Sequence, residues 1–128
     1  MFKLMKDATY WWPVTVAQPS QETPGEMAEG TFEVRFKRLG VDDHNALMDR
    51  VVPEKMTDRA FCKEVAVEFR GVSDQEGNEF EFTPANFDLF LQEPDVSTAI
   101  AQAYIDSAKK AGEKNSSRPP APGPAAAS

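Results

Sequence analysis

Between residues 32 and 37 the chain alternates without exception. Phe32, Val34 and Phe36 are large and apolar, and Glu33, Arg35 and Lys37 are charged. Only an extended strand sends successive side chains to opposite faces, so this run demands a sheet with one face covered and one face wet. Val14, Thr15 and Val16 repeat the pattern after an aromatic patch at Tyr10, Trp11 and Trp12. Two such runs suggest an antiparallel pair. The connection over 17–30 is rich in Pro, Gly and Glu and exceeds the usual hairpin length, so it is expected to be a mobile loop. Trp11 and Trp12 are consecutive and must point to opposite faces of the strand. One of them then leaves the core and becomes a candidate interface anchor.

The rest of the chain changes period. A short helix is expected from about Asp43 to Val52, stopped by Pro53. Thr57 reads as an N-cap with Asp58 in the first turn. The helix behind it puts Phe61, Cys62, Val65, Ala66 and Phe69 on one stripe, with Gly71 as its left-handed terminus. Residues 72–78 read as a turn around Asp74 and Gly77, and Phe80 and Phe82 as a short strand or extended arm. Thr83-Pro84 is a helix start of N-cap plus proline, with Phe87, Phe90 and Leu91 on its apolar side. Pro94 opens a last helix carrying Val96, Ile100, Ala103, Tyr104 and Ala108 on one face, and Gly112 closes it. The reading is α+β: a small N-terminal antiparallel sheet of two or three strands, then three to four helices. Residues 1–112 form one domain. Residues 113–128, rich in Pro, Ala and Ser, lack the apolar bulk to offset the entropy of ordering and are expected to be a disordered tail.

Charge narrows the function classes. The chain has 128 residues and a net charge of −7. The excess is local: residues 1–70 carry a net −2, residues 107–128 a net +3, and residues 71–106 hold eight acids and no lysine or arginine. That balance argues against nucleic acid, whose phosphates require a basic stripe, and against anionic lipid. No apolar run approaches the length of a membrane span, and the first residues lack the apolar core of a signal peptide, so a soluble intracellular protein is expected. The base-free stretch is either a solvated face or an electrostatic docking face for a basic partner.

Catalytic vocabulary is scarce. His44 is the sole histidine and stands in a polar run, and Cys62 is the sole cysteine and falls on an apolar stripe. Two such residues are too few for a zinc site, and one cysteine makes no internal disulfide. Aligning Gly77 with the glycine of a calcium-binding loop puts Val72 at its first ligand position, which defeats that pattern. No glycine-rich phosphate loop occurs. Neither an enzyme nor a cofactor is expected. Six of the nine phenylalanines lie between residues 61 and 90, and most are expected in the core.

The order of motifs over residues 14–115 resembles the tail assembly chaperones of long-tailed bacteriophages. The residues that carry it are Phe69, Gly71, Val72, Asp74, Gly77, Phe80, Phe82, Thr83 with Pro84, Ala103 and Tyr104. In that family a helix ends in an aromatic-x-Gly-Val turn, followed by an Asp-x-x-Gly turn, a strand, a Phe-Thr/Ser helix start and a final helix with an Ala-Tyr pair. The family's aromatic is often tryptophan, and here it is Phe69. The resemblance implies a non-enzymatic role in the host bacterial cytoplasm. Such a protein binds the tape measure protein, keeps it soluble, helps recruit tail-tube subunits and is not retained in the virion. Partner-binding candidates are Trp11, Trp12, Phe87, Phe90 and Tyr104 as apolar contacts and Glu76, Glu79 and Glu81 as a charged face. The resemblance also implies a longer form made by ribosomal frameshifting. Glu113-Lys114-Asn115 can be encoded with the slippery heptamer A-AAA-AAC, which makes this the expected frameshift position. The alternatives are a minor virion subunit and a small acidic interaction or regulatory domain.

Overall fold

The computed structural model describes residues 8–116 together with Phe2 and Leu4, with backbone only for 112–116. The fold is α+β. Three strands, β1 (Thr9–Pro19), β2 (Met27–Lys37) and β3 (Ala66–Arg70), form an antiparallel sheet in the order β1-β2-β3. Four helices, α1 (Val41–Val51), α2 (Asp58–Val65), α3 (Pro84–Leu91) and α4 (Val96–Ser116), complete the described residues.

The alternation at 32–37 does what its period requires. Phe32, Val34 and Phe36 are buried, with Val34 and Phe36 fully inaccessible. Val14 and Val16 join them from β1, and the helices close this face with Leu47, Phe61, Val65, Phe87, Leu91, Val96, Ile100 and Tyr104. Burial of these apolar side chains is the main driving force of the fold, at about 25 cal/mol per Å² removed from water.

Three sequence expectations are corrected. The segment 17–30 is not a loop: β1 and β2 stay in register out to Pro19 opposite Met27, which leaves residues 20–26 to turn the chain. Its residues are largely exposed because the ladder continues past the core as a two-stranded arm, held by backbone hydrogen bonds in place of side-chain burial.

The stripe through Phe69 is not one helix. α2 ends at Val65, and Ala66–Arg70 is the third strand. Arg35 faces Glu68 and Phe36 faces Ala66, so Val67 is the extra residue of a β-bulge. The bulge lets Ala66 and Phe69, three positions apart, both face the core, and that spacing imitates a helix. Gly71 therefore ends a strand. Its φ of +81° is the left-handed geometry that glycine adopts without strain.

The last helix is not closed by Gly112 and runs to Ser116. A helical glycine costs only about 1 kcal/mol, less than a proline stop. Of the tail expected over 113–128, residues 113–116 instead continue this helix, and 117–128 lie outside the described residues.

The two helix starts form as the cap residues dictate. Thr57 Oγ1 accepts from Ala60 N–H at 3.1 Å, and Thr83 Oγ1 accepts from Asn86 N–H at 3.0 Å with Pro84 in the first turn. Phe80 and Phe82 lie in an extended arm, secured by a bridge between Ser73 and Glu79 and by Phe80 N–H donating to Val72 O at 2.8 Å.

Candidate protein-binding surface

Residues 69–90 form the structural unit around the resemblance motif. The Phe69 ring is stacked on Phe80 at 5.9 Å and meets Phe82, Phe87 and Phe90 at 5.3, 6.1 and 5.0 Å between centroids. Edge and offset contacts of this kind add to burial. Above this aromatic base the chain makes a tight turn. Asp74 Oδ1 accepts from Glu76 N–H and Asn78 N–H, both at 2.9 Å, and Gly77 takes φ +85°. An aspartate that bonds its own following backbone is a turn former, so Asp74 has a local structural task.

Glu76, Glu79 and Glu81 are exposed on this turn and arm. Among the described residues, the ion pairs of the base-free stretch reduce to one, Asp88 with Lys63, which ties α3 to α2. The other acids of residues 71–106 are exposed.

The apolar candidates divide. Phe87 and Tyr104 are core residues at 6% and 3% exposure, so they do not line an open groove. Phe90 is half-buried against Phe32, Phe69 and Phe80. Trp12 packs at the core margin beside Tyr10. Trp11 lies on the opposite, helix-free face, where the Arg70 guanidinium sits 3.8 Å from its ring centre. Arg70 also donates to Glu33 Oε1 at 2.8 Å, and Arg35 donates to Glu68 Oε1 and Thr9 Oγ1, both at 2.7 Å. This face is a lattice of mutually paired charges, half-buried at Glu33, Arg35 and Glu68 and exposed at Arg70, around one half-buried indole. The frameshift candidates Glu113, Lys114 and Asn115 fall on the last turns of α4.

The residues with nucleophilic chemistry are held structurally. The Cys62 thiol is fully inaccessible and donates to Ser97 O at 3.2 Å. Burial, with Asp58 nearby, pushes it up to about 12. A thiol so far from ionising is a poor nucleophile. His44 is half-buried, not exposed, with Nδ1 3.1 Å from the Tyr104 hydroxyl. Burial raises Tyr104 and Tyr10 above the ordinary phenol value. Between the start of α2 and the α3–α4 connection lies a depression of about 610 Å³. Thr57, Asp58, Glu93 and Ser97 supply polar groups to it, and Leu91 and Pro94 an apolar wall. No group of three or more His, Cys, Asp or Glu among the described residues is arranged to hold a metal ion. No helix among them is long and apolar enough to cross a membrane.

Comparison with known families, curated proteins and solved structures produced no match to this chain.

Proposed function

We propose that this chain is a tail assembly chaperone of the kind found in long-tailed bacteriophages. It binds the tape measure protein in the host bacterial cytoplasm, keeps it soluble, helps recruit tail-tube subunits and leaves before the virion is complete. The observation that carries this reading is the unit at 69–90. The run that resembles the family is one aromatic cluster bearing a hydrogen-bonded turn and arm, and Glu76, Glu79 and Glu81 project from it outside any ion pair among the described residues. Exposed acids without ion-pair partners attract a basic helical partner and accelerate encounter. Their charge also keeps the resulting complex in solution.

Co-expression with a tape measure protein tests it. The tape measure protein is expected to gain solubility and to co-purify with this chain. The triple change Glu76→Lys, Glu79→Lys and Glu81→Lys is expected to abolish both while leaving the far-UV circular dichroism unchanged. A tape measure protein that neither co-purifies nor gains solubility sinks the reading. Mass spectrometry of purified particles separates the alternative, because a minor virion subunit remains in them. For the longer form, the gene must carry a slippery heptamer within the codons for residues 105–118.

A further inference from the structure

Among the described residues the sheet leaves backbone unpaired along β1, along the outer side of β3 and along the part of β2 that β3 does not reach, and the first and last of these differ. Arg38 N–H donates to Ala8 O at 2.9 Å and Ser20 N–H donates to Glu26 O at 2.8 Å. These bonds bracket the β1–β2 ladder and set its phase: even-numbered residues of both strands bond to each other. The odd-numbered residues of β1 therefore turn their backbone groups to the free edge. Two of them, Pro13 and Pro19, have no N–H, so a strand added beside β1 meets a broken row of donors.

The odd-numbered residues of β2 face the other way, toward β3. Glu33 and Arg35 are opposite Arg70 and Glu68. There the pairing ends, because Gly71 at φ +81° turns the chain off the sheet. Met27, Glu29 and Thr31 continue the edge with no strand beside them among the described residues and no proline among them. All three are exposed. The row spans about 14 Å at the usual strand rise.

The chemistry around this edge selects its occupant. A second copy pairing with itself about Glu29 sets Glu29 against Glu29, and like charges directly opposite are destabilising. Residues 8–34 contain four acids and no lysine or arginine, and of those acids Glu33 alone is engaged by a base among the described residues. A segment with basic residues on the Glu29 side is the complement. On the other side Ala28 and Gly30 are small, and nothing lies within 4 Å of a Cβ built on Gly30. That leaves room for bulky apolar side chains of an incoming strand.

We infer that the Met27–Thr31 edge of β2 docks an extended segment of a partner protein, basic and apolar at alternate positions, as a fourth strand in line with β3. Strand addition of this type takes affinity from main-chain bonds and specificity from alternate side chains. The inference does not rest on the chaperone reading and holds for any partner offering such a segment.

The probe is a short labelled peptide alternating lysine and valine, with a glutamate–valine peptide for comparison. Binding is read by fluorescence anisotropy, and the site by amide hydrogen exchange. The lysine peptide is expected to bind and to slow exchange at Met27, Glu29 and Thr31, while the glutamate peptide does not bind. Glu29→Pro removes the central edge donor without touching the β1–β2 ladder and is expected to weaken binding about tenfold or more. Glu29→Gln, which removes only the charge, is expected to cost less. Thr15→Pro, the matching change on the β1 edge, is expected to stay within about twofold of the parent. Equal binding of both peptides, full binding by folded Glu29→Pro, or slowed exchange elsewhere overturns the proposal. Dimers that protect these amides without peptide overturn it in favour of a second copy. The exchange pattern of the unaltered protein decides the matter even if Glu29→Pro fails to fold.

Discussion

The Tyr10 hydroxyl donates to Ser107 Oγ across 2.7 Å, joining the first strand to the last helix over 97 positions of chain. The direction follows from Ser107's single proton, which goes to Tyr104 O at 2.7 Å. Among the described residues Ser107 is the one buried polar residue of the core, and this relay satisfies it. Ser107→Ala leaves the Tyr10 hydroxyl without its acceptor and is expected to cost about 1–3 kcal/mol in urea unfolding. Adding Tyr10→Phe is expected to recover much of that loss, because removing both partners is close to neutral. Purely additive losses in the double-mutant cycle would show that the two groups are not coupled.

Alkaline stability follows from Cys62. Its folded value of about 12 lies above the ordinary thiol value of 9.0, so the unfolded chain releases this proton first as pH rises. Stability contributed by the neutral thiol is complete below pH 9 and lost progressively toward pH 12. Tyr10 and Tyr104, also raised, act in the same direction above the ordinary phenol value of 10.0. Cys62→Ala is expected to flatten the fall of the denaturation midpoint between pH 9 and 10, at some cost in core packing. A thiol reagent at neutral pH is expected to modify the unfolded chain and spare the native one. An unchanged pH profile in Cys62→Ala would remove the thiol from this account.

Phe69 holds the aromatic base of the acidic turn. Phe69→Ala is expected to destabilise by about 3–5 kcal/mol, the usual range for emptying a buried phenylalanine site. Phe69→Trp tests the space around it, and overpacking there is expected to cost about 1–3 kcal/mol. Thermal and urea unfolding read both.

The glycines separate backbone strain from crowding. A Cβ on Gly71 meets Phe32 Cα at an ordinary 3.7 Å, and one on Gly77 meets nothing within 4 Å. Both have φ near +80°. Alanine at either is expected to cost about 1–2 kcal/mol through backbone strain alone. Gly30→Ala has neither strain nor contact, and its unfolding midpoint is expected to stay at or slightly above that of the parent.

Trp11 reports on the outer face. Arg70→Ala removes the cation over the indole and the exposed pair with Glu33. Its stability cost is expected to be about 1 kcal/mol, since exposed contacts of both kinds are weak. The tryptophan emission is expected to change measurably. An emission spectrum identical to the parent would place the guanidinium elsewhere in solution.

Local rules reached far along this chain. Period two placed Phe32, Val34 and Phe36 inward, and cap chemistry placed the starts of α2 and α3 at Thr57 and Thr83. These signals are read from neighbours a few positions apart, which is the range over which sequence pattern acts directly. The candidate surface was only partly legible. Glu76, Glu79 and Glu81 are exposed as a polar turn requires, but the same apolar character that made Phe87 and Tyr104 candidates for contact drew them into the core.

By itself, then, the sequence determined the one-sided sheet, the helix starts, the aromatic weight of residues 61–90 and the charge imbalance between segments. Tertiary structure decided the rest. β3 forms because β2 already offers a row of backbone partners, and a bulge at Val67 reconciles helix-like spacing with strand pairing. The arm at 17–30 exists because register propagates along a ladder past the core. Which face of the sheet stays open, and which edge stays unpaired, depends on where Gly71 sends the chain and where the helices pack. Both are long-range consequences that no window of neighbouring residues contains.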